Sequence, residues 1–164
     1  MLSLTGFAAF LLICFVLAGA DKLTELQERF DRDAHATGKI KTLDKLGTAQ
    51  FEAAAKAGKA EDYFAVGLIF EKYRDNVRTA FELLKKQEPD ADRHAEGYRH
   101  LELQARRGIR EVEETLIVVP DVVRPPLQIV RQDLITTDDE LIGILFPRRT
   151  KEPVKVPPPP ETKP

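Results

Sequence analysis

The sequence predicts an all-α fold: an antiparallel three- or four-helix bundle built on a long helical hairpin at 60–87 and 90–119, followed by a disordered Pro-rich C-terminal tail. Three observations carry this expectation. Val66, Phe70, Tyr73, Val77, Phe81 and Leu84 recur at steps of three and four, which lines one side of a helix. Tyr98, Leu101, Ala105, Ile109, Val112 and Leu116 repeat the spacing, with Glu102, Arg106, Arg110, Glu111 and Glu113 interleaved on the other face. Between the stripes stands Glu88-Pro89-Asp90, where proline lacks the amide a continuing helix needs and drives the preceding residue out of helical geometry. Asp90 or Asp92 is then placed to cap the second helix and to complement its positive end.

The chain opens with Leu2 to Ala20, which contains no charged side chain and holds the apolar run Phe7 to Leu17 before Ala18-Gly19-Ala20. Small residues at the last and third-last positions suit signal peptidase, so 1–20 reads as an export signal cleaved after Ala20. The alternative is an uncleaved membrane anchor, because the run approaches the roughly 18 residues that span a bilayer and only the amino terminus is charged before Phe7. The expected location is periplasmic or extracellular.

Cysteine usage narrows the chemistry. The single cysteine, Cys14, the single methionine, Met1, and the single serine, Ser3, all fall within 1–20. A processed chain has no disulfide, thiolate nucleophile, zinc-cysteine site, iron-sulfur cluster or serine nucleophile. Packing alone must stabilise the remaining domain, 21–146, which is long enough to bury some two thirds of its unfolded surface. The whole chain's 43% hydrophobic and 32% charged composition is that of a globular or bundle protein. A formal charge of −2 gives no support to nucleic-acid binding, which calls for a basic stripe.

The remaining elements follow in order. Leu23, Leu26, Phe30 and Ala34 start a helix that Ile40, Leu43, Leu46, Phe51 and Ala54 continue, as one helix or as two segments bent near Gly38 or Gly47, ending around Lys56-Ala57-Gly58. After the hairpin, Val118 to Arg124 reads as an extended connector, with Pro125 and Pro126 at a helix start. Leu127, Val130, Leu134, Leu141 and Leu145 form the last stripe. Thr137 and Glu140 make a capping box inside it, but the unbroken apolar phase favours one helix with a kink over two. The tail, 147–164, holds Pro153 and the run Pro157 to Pro160; from Arg148 on it has five basic and two acidic residues against 20 and 25 for the rest of the chain. It is expected to stay disordered and partly polyproline, as a solubilising terminus or a docking peptide.

Candidate sites are few. Arg99, Arg106, Arg107 and Arg110 form the most basic local cluster and can take an anion, since guanidinium pairs with phosphate and carboxylate; the competing reading is a solvated face offset by Glu102, Glu111 and Glu113. Glu96 and His100, like Asp31 and His35, are four apart and can share a cation, but His94 and His100 are six apart, about 240° round a helix, and no third ligand is visible. No catalytic residue, cofactor or metal is assigned. Leu46-Gly47, Ala60-x-x-x-Phe64 and Gly67 resemble a fragment of a tetratricopeptide unit, in which small and aromatic residues let two helices pack closely. The resemblance covers about one repeat and implies a peptide-binding module, although stacking requires about three units and no second copy is present. The sequence therefore points to an exported, non-catalytic cell-envelope interaction or scaffold protein with protein partners. A small-ligand or metal carrier using the bundle interior, and a tetratricopeptide-like module, are the alternatives.

Overall fold

A computed structural model describes residues 22–147. The segment 1–20 and all of the tail except Pro147 lie outside the described residues. Helix α1 covers 22–32, followed by α2 (Ala36–Lys59), α3 (Tyr63–Gln87), α4 (Ala95–Val118), a 3-10 turn (Asp121–Val123) and α5 (Arg124–Leu145). The described residues contain no strand, so the all-α bundle expected from the stripes is the fold of the chain. None of these helices is long and apolar enough to cross a membrane.

The hairpin at the centre is α3 and α4. Around it the closest pairings are α2 with α3 and α4 with α5; α2 also meets α4 and α5 also meets α3, while α2 and α5 do not approach each other. The hairpin therefore lies on the short diagonal of a four-helix bundle, and α2 and α5 close over it from opposite sides. α1 rests against α2 and α3.

One side chain holds the diagonal. Tyr73 of α3 is fully buried, and its hydroxyl donates to the Gln104 carbonyl of α4 at 2.7 Å. A Cβ at Gly108 of α4 would stand 2.3 Å from the Tyr73 ring, and one at Gly47 of α2 would stand 2.8 Å from it. The ring is thus a wedge between two helices that can approach it only because those positions are glycine. Phe51 packs against it with ring centres 4.6 Å apart and planes tilted by 53°, and Leu134 of α5 also borders the Gly108 position. Burial pushes the Tyr73 hydroxyl far above the usual phenol range, so it remains a neutral donor.

The α1 to α2 break falls at 33–35, ahead of both glycines that the sequence offered as hinges. Its cause is polar. The Asp33 carboxylate accepts from the His35 amide at 2.9 Å, an Asx turn that ends α1. Gln87, at the end of α3, clamps the corner: its Oε1 accepts from the Ala36 amide and its Nε2 donates to the Ala34 carbonyl, both at 2.8 Å. Lys39, itself buried, donates to the Phe30 carbonyl and lies over the Phe30 ring at 4.4 Å, satisfying the last turn of α1. Gly38 is helical; a Cβ there would collide with the Asp33 carboxylate that makes the turn.

Other boundaries differ from the sequence reading in instructive ways. α2 runs past Gly58 to Lys59 and closes with the paired bonds Glu61 N to Gly58 O and Asp62 N to Ala57 O, both 3.0 Å, a Schellman motif. The left-handed position of that motif is Glu61, with φ 58°, rather than a glycine. Asp62 then caps α3 by accepting from the Ala65 amide at 3.1 Å. α4 has no side-chain cap at His94; Asp90 instead accepts from the Arg93 amide at 3.3 Å, in the turn that leads into the helix. Val119 and Pro120 are extended, as expected, but 121–123 wind into a 3-10 turn. α5 is continuous, because Thr136 and Thr137 bond back to the carbonyls of Gln132 and Asp133 at 3.0 Å rather than capping a new helix.

Predicted core residues Phe30, Phe51, Phe70, Tyr73, Val77, Phe81, Leu101, Val112, Leu127, Leu134 and Leu141 are buried, while Leu26 and Ile109 are partly buried against them. Gly108→Ala and Gly67→Ala should have opposite signs in urea melts. A Cβ at Gly67 meets nothing within 4 Å and should add up to about 1 kcal/mol of helix propensity; the one at Gly108 should cost about 1 to 3 kcal/mol by overpacking. Equal midpoints for both would remove the wedge. Glu61→Gly should stabilise by about 1 kcal/mol, since it relieves a left-handed non-glycine residue; an unchanged melting temperature would show no strain there.

Candidate functional site

The cluster Arg99, Arg106, Arg107 and Arg110 does not form one surface. Helical phase puts Arg99, Arg106 and Arg110 on the outer face of α4, where Arg99 and Arg110 are exposed. Arg106 leans to Glu102 at 2.6 Å and towards Asp138 of α5 at 3.6 Å. Arg107 turns the other way, pairing with Asp44 of α2 at 3.5 Å and lying 5.2 Å from the Phe51 ring centre. Two of the four guanidinium groups therefore serve helix packing.

Beside Arg106, the Glu102 and Asp138 side chains are each only 13% exposed. Burial pushes the Asp138 carboxyl above its ordinary range, opposed by Arg106 and reinforced by Glu102. One Asp138 oxygen is enclosed without a hydrogen-bond partner. This is a partly desolvated ion cluster locking α4 to α5, together with Arg131 to Glu113 at 2.7 Å.

Two of the three histidines, His94 and His100, lie at the Glu88 turn. His94 Nδ1 stands 3.3 Å from a Glu88 carboxylate oxygen, and Tyr98 donates to the Glu88 carbonyl at 3.0 Å. His94, Glu96, His100 and Glu88 line a cleft of about 240 Å³ with Lys41 and Arg93. Among the described residues no three metal-ligating side chains converge in a geometry that holds a metal ion. Asp31 and His35 lie either side of the α1 break, and the Asp31 carboxylate accepts from Gln27 at 2.9 Å.

The opposite end is different in character. Phe64 at the start of α3, Ile117 and Val118 at the end of α4, and Val122 in the 3-10 turn are 76–86% exposed. Beneath them an apolar cleft of about 430 Å³ opens between α2 and α4, walled by Gly58, Tyr63, Val66, Thr115, Val118 and Val119. Glu111, Glu114 and Lys59 stand on its edge, with Glu61 and Asp62 exposed in the adjoining turn. Large apolar side chains exposed at the same end of the hairpin, beside charge, are the pattern of a contact surface. The sequence reading missed this tip because its residues come from three elements; the available signal was apolar residues out of phase with the stripes, Phe64 before Val66 and Ile117 after Leu116.

Residues of the tetratricopeptide-like fragment have separate fates. Gly47 makes the close approach to Tyr73, whereas Phe64 points outward and Gly67 faces open space. Fold and surface together define a helical bundle with an apolar tip. Comparison with protein families, curated proteins and solved structures returns no match.

Asp138→Asn tests the desolvated cluster. A carboxyl whose pKa is raised by folding gives stability that is fully present below its unfolded pKa and lost as pH climbs through the folded value. The substitution should therefore flatten the fall in stability on going from acid to neutral pH and leave the protein at least as stable at pH 7. A melting temperature at pH 7 that drops well below that of the parent chain would show that Arg106 pairing dominates burial.

Proposed function

We propose that this chain is an exported, non-catalytic interaction or scaffold protein of the cell envelope, which meets a protein partner through its apolar tip. One observation carries the reading: among the described residues the most exposed large apolar side chains, Phe64, Ile117, Val118 and Val122, belong to the start of α3, the end of α4 and the turn after it, the same end of the hairpin. The framing charge is mainly acidic, through Glu61, Asp62, Glu111 and Glu114 against Lys59. That suits a partner segment with apolar anchors and basic flanks. Export rests on the apolar run and small-residue cleavage pattern of 1–20. If 1–20 stays attached, it anchors the bundle at the membrane instead.

The carrier alternative draws on the Glu96 and His100 pair and on the clefts between helices; the tetratricopeptide-like alternative draws on a single helix pair, α2 and α3. Neither has the concentration of exposed apolar surface that the tip has.

A photo-crosslinking residue at Val122, in the full chain expressed in cells, should give a discrete crosslinked product in the envelope fraction. That product should vanish when Ile117→Asp and Val118→Asp are added. The same residue at Leu103, exposed on the middle of α4, should not give it. Identical products from Leu103 and Val122 would end the assignment of the tip.

A further inference from the structure

A third cleft lies on the flank of α3 away from α5. It holds about 340 Å³, near the lower end of volumes that hold small ligands. Its α1 wall carries Leu23, Glu28 and Asp31, its α3 wall Leu68, Ile69 and Lys72, and Gln50 of α2 lies at its floor. Gln27 and Asn76 brace the two walls with reciprocal amide hydrogen bonds of 2.9 and 3.1 Å, so the opening is a built feature of the helix junction.

The floor is the anomaly. Gln50 is only 2% exposed, yet its Oε1 is fully enclosed and has no hydrogen-bond partner. Leaving a buried acceptor unpaired costs about 1 to 3 kcal/mol, and such groups in folded chains call for a reason. Oε1 lies beneath the cleft surface, so an N–H donor entering the cleft removes that cost when the Gln50 amide turns outward to meet it. The walls say what kind of donor. On the α1 side stand two carboxylates, Glu28, which also reaches Arg32 at 3.7 Å, and Asp31, one oxygen of which accepts from Gln27; on the α3 side stands one ammonium, Lys72; with them are Leu23, Leu68 and Ile69.

We propose that this cleft binds a small zwitterion with an apolar side chain, a free apolar α-amino acid. Its ammonium donates to Gln50 Oε1 and faces Glu28 and Asp31, its carboxylate faces Lys72, and its side chain covers Leu23, Leu68 and Ile69. The cleft is lined by α1, α2 and α3, whereas the tip is formed by the start of α3, the end of α4 and the 3-10 turn; Phe64 and Leu68, one turn apart on α3, are where the two surfaces adjoin.

Amide NMR titration of the full chain with L-leucine, isoamylamine and 4-methylvalerate separates the contacts. Leucine should shift the Gln50 side-chain amide and the backbone amides around Ile69. 4-Methylvalerate, which lacks the ammonium, should bind about tenfold more weakly, since a charged donor to a buried acceptor is lost. Isoamylamine, which lacks the carboxylate, should lose about threefold, the scale of an exposed ion pair. Gln50→Leu should weaken leucine binding about tenfold without lowering the melting temperature, because it removes an unpaired polar atom. Lys72 is exposed, so Lys72→Ala keeps the fold and should cost leucine about threefold while leaving isoamylamine unchanged. Equal affinity for leucine and 4-methylvalerate, Gln50→Leu binding like the parent chain, or no shift in this cleft with any probe would each overturn the proposal.

Discussion

The Tyr73 ring, wedged between Gly47 and Gly108, is the constraint on which the architecture depends. A four-helix bundle leaves its diagonal helices apart when large side chains fill the middle. Here one diagonal is short because the Tyr73 ring of α3 lies over Gly108 of α4, where no side chain projects back, while Gly47 of α2 makes room on the other side of the ring. The hydroxyl reaches the Gln104 carbonyl, so the polar end of the ring is satisfied without water. Once α3 and α4 meet this closely, α2 and α5 are held apart and each must pack into a groove of the central pair.

That arrangement leaves the polar interactions to decide orientation at the edges. Buried area is indifferent to exact register, whereas a buried amide or ammonium accepts very few geometries. Gln87 and Lys39 fix the corner between α1 and α2, and Gln27 with Asn76 fixes α1 against α3. The Glu102, Arg106 and Asp138 group sets α5 against α4. None of these needs to contribute much net stability; each excludes alternative placements of a helix whose apolar stripe would tolerate a shift.

The surfaces available for binding follow from where the helices end. At the tip, α4 gives way to the 3-10 turn at the end of the bundle where α3 begins, and among the described residues no helix covers the apolar side chains there. On the other flank, α1 and α3 part around the groove above Gln50. The arginine cluster illustrates the converse: Arg106 and Arg107 are only one residue apart, but the 100° between them sends one to α5 and the other to α2, so neighbours in sequence serve different interfaces.

The spacing of apolar residues determined the class of fold, the number of long helices to within one, and nearly all of the core, because a helix that buries one face must repeat near 3.6 residues whatever it packs against. Proline positions determined the ends of α3, α4 and the start of α5, since a missing amide acts locally. What only the tertiary structure decided was which stripes meet. Gly47 reads as a possible bend until Tyr73 is placed between it and Gly108, and nothing in the spacing marks Gln50, Asn76 and Lys39 as buried polar residues. The tip and the α1 cleft were illegible for the same reason: each is assembled from residues of three elements, and a one-dimensional pattern carries no information about which helix ends coincide in space.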